Sequence, residues 1–187
     1  YNRTTRDLLY WYAVDASKYE AGSMLLNLGS LQNQGVELAL TGVAVERKNF
    51  VWNLGLTMAH NKNKVLSLGN DEFTFPEADK QRGGVGDGSV GWTSQKFQIL
   101  EVGESVGNFY GFKYAGQDEK GKFYGYNING DIVEWSKLKN EDKVILGNAL
   151  PVITWGLSSS MSFYNVDFSF NLRGAIGGKL LNQKRLA

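Results

Sequence analysis

Residues 50–59 alternate between large apolar side chains and small or polar ones, and this period of two constrains the fold more than any other feature. Successive side chains of a β-strand point to opposite faces, so the alternation predicts a strand with one apolar face and one polar face. The apolar set is Phe50, Trp52, Leu54, Leu56 and Met58, and the other set is Asn49, Asn53, Gly55, Thr57 and Ala59. Such a strand suits a soluble sheet, and it equally suits a membrane β-barrel with lipid outside and a wet lumen inside.

Four segments have the length and alternation of strands, namely residues 36–45, 50–59, 152–162 and 166–174. A strand that crosses a bilayer at a tilt needs about 9–11 residues, which each segment approximates. Short connections at residues 46–49 and 163–165 join the segments in pairs. The sequence therefore predicts an all-β fold built on antiparallel hairpins.

Composition excludes several classes of function. The chain carries 20 Lys plus Arg against 19 Asp plus Glu, so composition gives no sign of the basic face that nucleic-acid binding requires. Cysteine is absent, so neither a disulfide framework nor a thiolate metal site can form. No apolar run reaches eighteen residues, which argues nothing about a barrel because half of every spanning strand is polar.

A calcium loop is the sharpest local hypothesis that the residues offer. Asn127, Asn129 and Asp131 stand at alternate positions, as the first three oxygen ligands of an EF-type loop do. That loop also needs glycine at its sixth position and a bidentate acid at its twelfth, where this chain has Ile132 and Leu138. Too few negative oxygens remain to offset dehydration of the ion, so we expect a polar turn, no metal and no cofactor.

The residues give little indication of catalysis. His60 is the only histidine, and we expect it to be an exposed residue at a strand end. A glycosidase needs two carboxyl groups at a defined separation, and nothing marks such a pair among the acids of residues 118–142. Gly83 and Gly86 form a Gly-x-x-Gly run without the Lys-Ser or Lys-Thr of a phosphate-binding loop. We therefore expect no catalytic residues and no enzyme.

Five short motifs follow one another along the chain and together cover much of it. They are residues 27–38 (NLGSLQNQGVEL), 60–68 (HNKNKVLSL), 102–112 (VGESVGNFYGF), 145–151 (ILGNALP) and 163–174 (FYNVDFSFNLRG). In this order they resemble landmarks of the SusC/RagA family of TonB-dependent outer-membrane transporters, found chiefly in Bacteroidetes. Each motif alone is weak, and their shared order makes the resemblance specific.

The resemblance implies that the chain is a fragment of the C-terminal β-barrel of such a transporter. It implies uptake of oligosaccharides or peptides across the outer membrane of a Gram-negative bacterium, driven by TonB through regions upstream. The expected partner is a SusD-like surface lipoprotein. Residues 61–151 would be an extracellular loop region, with a glycine-rich exposed loop at residues 69–94. The sequence does not indicate which residues bind substrate.

In a barrel, the alternation assigns each strand a lipid face and a lumen face. The residues expected to face lipid are Trp52, Leu54, Leu56, Phe168 and Phe170, and those expected to face the lumen are Asn53, Thr57, Ser169 and Asn171. Adjacent aromatic residues at the two short turns are typical of an interfacial girdle. Five more aromatic residues lie in the predicted loop region, namely Phe73, Phe75, Trp92, Tyr124 and Trp135. Each could contact a ligand or partner, but we expect any single ring to pack the loop against itself.

Two other interpretations stay open at the level of residues. One is a soluble, secreted β-sandwich that binds carbohydrate through its aromatic side chains. The other is a β-structured enzyme that degrades glycans. A sandwich would cover the apolar faces of its strands with a second sheet, whereas a barrel would leave them for lipid. The structure can therefore distinguish a sandwich from a barrel wall.

Overall fold

The computed structural model describes residues 1–19, 22–70, 72–76, 80–84 and 96–182. The elements there are β1 (Asn2–Ala13), α1 (Ala16–Tyr19), β2 (Ser23–Arg47), β3 (Phe50–Leu68), β4 (Gln81–Gly84), β5 (Lys96–Ile99), β6 (Asn108–Gly111), β7 (Tyr114–Gln117), β8 (Phe123–Tyr126), β9 (Ile132–Glu134), β10 (Val144–Asn148), β11 (Ile153–Phe163) and β12 (Val166–Ile176). Single turns of 3₁₀ helix span Trp135–Lys137 and Asn140–Asp142. In these ranges no helix is long and apolar enough to cross a membrane. The all-β prediction is confirmed.

The largest sheet is antiparallel and has the strand order β1–β2–β3–β11–β12. Tight turns join β2 to β3 and β11 to β12, which confirms both predicted hairpins. β2 and β3 are longer than the segments predicted for them, at 25 and 19 residues, because their pairing continues past Val36↔His60 as far as Gly29↔Leu68. β3 thus enters the predicted loop region, whose extracellular position remains a prediction.

Register separates the main sheet into two walls, because residues paired across neighbouring antiparallel strands share a face. One row across β2, β3, β11 and β12 is Leu40, Leu56, Leu157 and Leu172, and the next is Thr41, Gly55, Ser158 and Asn171. The apolar wall includes Val36, Leu38, Leu40, Trp52, Leu54, Leu56, Met58, Ile153, Trp155, Leu157, Met161, Phe168, Phe170, Leu172 and Ile176, and it also carries Phe50, His60, Ser159 and Phe163. The polar wall includes Glu37, Ala39, Thr41, Asn53, Gly55, Thr57, Ala59, Thr154, Gly156, Ser158, Ser160, Ser169, Asn171, Arg173 and Ala175, and it also carries Val43 and Val51.

The two tight turns lie side by side at one end of the main sheet. The Tyr164 N–H donates to the Asn49 carbonyl at 3.0 Å, which ties one turn to the other. The Phe163 ring packs edge-on against Phe50, with centroids 6.3 Å apart, and against Tyr164 at 4.7 Å. The aromatic residues at the turns therefore form one cluster, as an interfacial girdle requires.

The chain between β3 and β11 forms two small sheets, with strand orders β10–β6–β5–β4 and β7–β8–β9. Residues 118–122 form a turn, in which the Asp118 carboxylate accepts the N–H groups of Lys120 and Lys122 at 2.9 and 2.8 Å. A 3₁₀ turn spans Trp135–Lys137. Residues 108–114 alternate as a single strand would, with Tyr110, Phe112 and Tyr114 at every second position, but they are divided into β6 and β7, because these two strands pair with different partners.

The buried core lies at the end of the main sheet opposite the tight turns. Among the described residues, the most buried apolar side chains are Leu28, Val65 and Phe75, with exposed fractions of 0%, 3% and 5%. The Phe75 ring packs against Tyr10 of β1, with centroids 4.6 Å apart. The central segment is therefore anchored on the sheet rather than packed only against itself.

The contact between Gly174 and the Trp155 ring shows how closely the apolar wall is packed at this point. A Cβ at Gly174 would come within 2.6 Å of the Trp155 indole, which lies across this glycine. We predict that Gly174→Ala displaces the ring and lowers the free energy of unfolding by about 1–3 kcal/mol, the usual effect of overpacking. Gly42 lies in open space, so Gly42→Ala is the matched control and should not lower stability. Urea unfolding of the purified protein in detergent, followed by tryptophan fluorescence, measures both. Equal stabilities would contradict the contact.

Candidate functional site

The apolar wall is mostly exposed along β2 and β12 and mostly half-buried along β3. Val36, Leu40 and Phe168 have exposed fractions of 72%, 55% and 58%. Such values show that nothing in the described part of the chain covers these positions. A contiguous exposed apolar surface is typical of a region that contacts a membrane or another protein. The wall is therefore the principal candidate for a functional surface.

Polar side chains in the apolar wall bond within the sheet. The Trp52 Nε1–H donates to the Ser159 hydroxyl at 2.9 Å, and Ser159 is buried. The Nδ1 atom of His60 is hydrogen-bonded to the Val152 carbonyl at 2.8 Å. We had expected His60 at a strand end. It lies within β3, because β3 continues to Leu68. No buried side-chain nitrogen or oxygen of the described residues lacks a hydrogen-bond partner.

The polar wall is rich in hydroxyl groups, and glycines lie next to some of them. The Ser158 hydroxyl donates to the Gly55 carbonyl at 3.4 Å across β11 and β3. A Cβ at Gly55 would lie 2.4 Å from the Ser158 oxygen, and one at Gly156 would lie 2.8 Å from the Thr57 hydroxyl. The glycines therefore make room for neighbouring hydroxyl groups, and the wall presents polar atoms on a nearly flat surface.

Three of the sequence motifs meet through asparagine side chains. The Asn63 side-chain oxygen of β3 accepts the Val106 N–H at 2.7 Å and the Ser105 hydroxyl at 2.9 Å. The Asn148 amide of β10 donates to the Val106 carbonyl at 3.0 Å and to the Asn108 side chain at 2.7 Å. Asn108 is buried, with 4% exposed. We call Asn63, Asn108 and Asn148 the asparagine junction, since together they fasten the central segment to the main sheet.

Glycines of the same motifs shape the backbone around the asparagine junction. Gly103, Gly107 and Gly147 have φ angles of +92°, +86° and +141°, which L-residues rarely adopt. The Gly103 N–H donates to the Val65 carbonyl at 2.8 Å, and the Val65 N–H donates back to the Glu104 carbonyl at 2.9 Å. These motifs carry the family resemblance, but no role was predicted for their asparagines. The available signal was Asn directly after Gly at Asn108 and Asn148.

The proposed calcium ligands satisfy one another inside a turn. The Asn127 oxygen accepts the N–H groups of Asn129 and Asp131 at 3.0 and 2.8 Å, and its amide donates to the Asp131 carboxylate at 3.2 Å. In the part of the chain that the structure describes, no group of three or more His, Cys, Asp or Glu side chains could hold a metal ion. The geometry is that of a polar turn, as expected.

Asp142 anchors this turn and was not identified from the sequence. It is buried, and its carboxylate accepts the Lys139 N–H at 2.7 Å and the Ile128 N–H at 2.8 Å. These two bonds, that from Lys139 foremost, hold the pKa of Asp142 below its usual value of 3.8, because both stabilise the charged carboxylate. One acid thereby links the turn after β8 to the 3₁₀ turn before β10.

Two aromatic residues of the predicted loop region, Phe73 and Phe75, pack against β1, whereas we had expected any single ring to pack against the loop itself. Phe73 packs edge-on against Tyr12 at 5.3 Å, and the Tyr124 hydroxyl lies 3.5 Å from the Asp118 carboxylate. Trp135 keeps 41% of its surface exposed, and Trp92 lies outside the described residues. The glycine-rich centre at residues 85–95 also lies outside them. Trp135 is thus the ring of this set that the structure leaves most available.

Comparison with known proteins relates the chain to one group of receptors. No protein-family profile matches it. It is 32% identical to the TonB-dependent receptor P26 of Formosa agariphila over 97% of its length, and 31% identical to the TonB-dependent receptor SusC of Bacteroides thetaiotaomicron over 94%. The chain spans 18% and 17% of those two relatives. Among solved structures, the RagAB peptide importer in its closed-closed state matches 95% of the chain with a TM-score of 0.67 and 23% identity, and the chain covers 18% of the matched one.

The asparagine junction gives a prediction with a matched control on the same strand and face. Asn63→Ala leaves the Val106 N–H without its acceptor, which should cost about 1–3 kcal/mol of local stability. We predict that hydrogen exchange at Val106 accelerates accordingly. Asn61 accepts only the exposed Tyr1 hydroxyl in the described structure, so Asn61→Ala should leave exchange at Val106 unchanged. Unaltered exchange in Asn63→Ala would contradict the anchoring role.

The lowered pKa of Asp142 predicts the pH dependence of its turn. A folded-state pKa below the unfolded value gives stabilisation that is complete above about pH 4 and is lost as pH falls through the folded value. Hydrogen exchange at Ile128 and Lys139, corrected for the intrinsic rate, should therefore gain protection as pH rises from 2 to 5. Asp142→Asn should abolish that gain, because the asparagine side chain does not ionise between pH 2 and 5. Glu141→Gln is the exposed control and should retain it.

Proposed function

Because this chain belongs to the TonB-dependent receptors of the SusC/RagA type, we propose that it forms part of the wall of an outer-membrane barrel that imports oligosaccharides or peptides. The observation that carries the proposal is the exposed apolar wall, in which the Trp52 Nε1–H and the His60 Nδ1 atom are hydrogen-bonded within the sheet. The chain spans less than one-fifth of the receptors it matches, so the activity of a whole receptor is likewise proposed.

The height of the apolar wall supports a bilayer on that side. The wall extends along β3 from Phe50 to His60, and the next residues on the same face are Lys62 and Lys64. Ten steps of about 3.4 Å give about 34 Å along the strand, or about 24 Å across the bilayer at a tilt of about 45°. This agrees with the lipid-facing band of about 25 Å in outer-membrane barrels. The change to lysine marks the edge of the band.

Strand length supports an orientation for the wall. Outer-membrane barrels have short turns on the periplasmic side and long loops outside. We therefore place the two tight turns in the periplasm, with their aromatic cluster at the interface. The extensions of β2 and β3, and residues 61–151, then lie outside the cell. The polar wall faces the lumen, where its hydroxyl groups meet water or the passing substrate.

The proposed partners follow from the relatives and from the position of the central segment. RagAB is described as a peptide importer, and its resemblance to this chain supports pairing with a SusD-like surface lipoprotein. Residues 61–151 are the proposed contact region. TonB would act through parts of the receptor outside this chain. The relatives are named TonB-dependent receptors, which supports the outer membrane of a Gram-negative bacterium as the location and transport as the role.

The soluble β-sandwich predicts a different environment for the apolar wall. In a sandwich, a second sheet packs face to face against the first at about 10 Å. The described small sheets are joined to the far end of the main sheet through the asparagine junction, and Val36, Leu40 and Phe168 stay exposed. This arrangement favours the barrel wall.

Cysteine labelling tests the two walls with neighbouring residues. Leu54→Cys and Phe168→Cys lie on the apolar wall, and Asn53→Cys and Ser169→Cys lie on the polar wall. In the full-length receptor in intact outer membranes, we predict that a water-soluble maleimide labels positions 53 and 169 and leaves 54 and 168 unlabelled, because lipid excludes the reagent. All four variants should react equally after denaturation, which controls for the amount of protein. Labelling of 54 and 168 without 53 and 169 would exclude this orientation.

A further inference from the structure

A cleft of about 930 Å³ lies between the two small sheets and is separate from both walls of the main sheet. β6 and β10 line one side, and Tyr126 of β8 and Trp135 line the other. The segment after β12 contributes Lys179. The volume falls within the range of small-molecule sites. We call it the lysine–aromatic cleft.

The lining is positively charged. Four lysines line the cleft, namely Lys96, Lys113, Lys143 and Lys179. None of the described residues that line it is Asp or Glu. The neighbouring acids are engaged elsewhere, since Glu134 pairs with Lys122 at 3.4 Å and the Asp142 carboxylate accepts two backbone N–H groups. A cleft with charges of one sign and apolar sides concentrates ligands of the opposite sign.

Aromatic rings form the floor beneath two of these lysines. The Lys113 ammonium lies 4.9 Å from the centre of the Tyr126 ring, and the Lys143 ammonium lies 5.6 Å from that of Phe112. Trp135 meets the Phe112 ring edge-on at 5.6 Å and remains 41% exposed. Flat apolar surfaces and cationic groups therefore alternate within one ligand's reach.

We propose that the lysine–aromatic cleft binds an anionic oligosaccharide. Sugar rings would lie against the exposed Trp135, and their carboxylate or sulfate groups would meet Lys113 and Lys143. This proposal rests on the proposed function and deepens it, since it names the chemical class of ligand that the extracellular segment would recognise.

The backbone of the cleft argues against an extended peptide as the ligand. Peptides commonly bind by adding a strand to a free sheet edge. β6 is paired on both sides, with β10 and β5, and β8 is paired on both sides, with β7 and β9. β10 is the edge strand of its sheet, and the segment after β12 occupies part of that edge, because the Lys179 N–H donates to the Asn148 carbonyl and the Lys179 ammonium to the Leu146 carbonyl. The cleft therefore offers a ligand mainly side chains. Ring faces and point charges suit a saccharide that carries acid groups.

The test measures binding by calorimetry, with the full-length receptor in detergent. The probes are sulfated maltohexaose, hexagalacturonate and unmodified maltohexaose, which separate sulfate, carboxylate and neutral sugars. We expect one of the anionic probes to bind at least about tenfold more tightly than the neutral one, and to weaken as salt screens the lysines. The double variant Lys113→Gln with Lys143→Gln should lose at least about tenfold. Lys113→Arg with Lys143→Arg should retain binding, which separates charge from folding.

A surface lysine outside the cleft supplies the control. Lys137 pairs with Glu134 at 3.9 Å and does not line the cleft, so Lys137→Gln should bind as the wild type does. Equal affinity for neutral and anionic sugars, or equal loss in Lys137→Gln, would overturn the proposal. Hexaglutamate binding as tightly as the sugars would also overturn it, in favour of an acidic peptide. If the wild-type receptor binds none of the anionic probes more tightly than the neutral one, while the cysteine-labelling pattern is as predicted, this inference is refuted and the proposed barrel wall is unaffected.

Discussion

Register between β3 and β11 decides what each side of the main sheet presents. Side chains alternate with a period of two, so a slip of one residue would move Trp52, Leu54 and Leu56 to the face that now carries hydroxyl groups. Eleven consecutive pairs from Ile153↔His60 to Phe163↔Phe50 hold this register without a bulge. The bond from Trp52 to Ser159 exists only in this alignment. The separation of an apolar wall from a polar wall depends on that pairing.

The asparagine junction fixes the position of the long segment between the two hairpins relative to the main sheet. Backbone groups in a connecting segment need partners, and sheet pairing is unavailable where the chain must turn. Asn63 supplies an acceptor from within β3, while Asn148 supplies donors from β10. Positive φ angles at Gly103, Gly107 and Gly147 let the backbone reach them. The segment that we propose to be extracellular is therefore held against the main sheet by specific hydrogen bonds.

The two ends of the main sheet differ in what covers their apolar side chains. At the end with the small sheets, Leu28, Val65 and Phe75 are buried as in a water-soluble protein. Along the hairpins, residues such as Phe168 remain exposed, and in the proposed setting lipid covers them. Lys62 and Lys64 lie at the change from one regime to the other. This division explains why a chain with ordinary overall composition carries so large an apolar face.

The sequence by itself determined the hairpins, their two faces and the SusC/RagA-type resemblance, because strand alternation and turn residues are local properties. It also determined that Asn127, Asn129 and Asp131 form a polar turn. Only the tertiary structure decided the length of β2 and β3, the division of residues 108–114 into two strands, and the burial of Phe75 against Tyr10. The asparagine junction and the lysine–aromatic cleft likewise join residues about forty or more positions apart in places. Such groupings arise from strand pairing between distant segments, and no local pattern encodes which distant residues will meet.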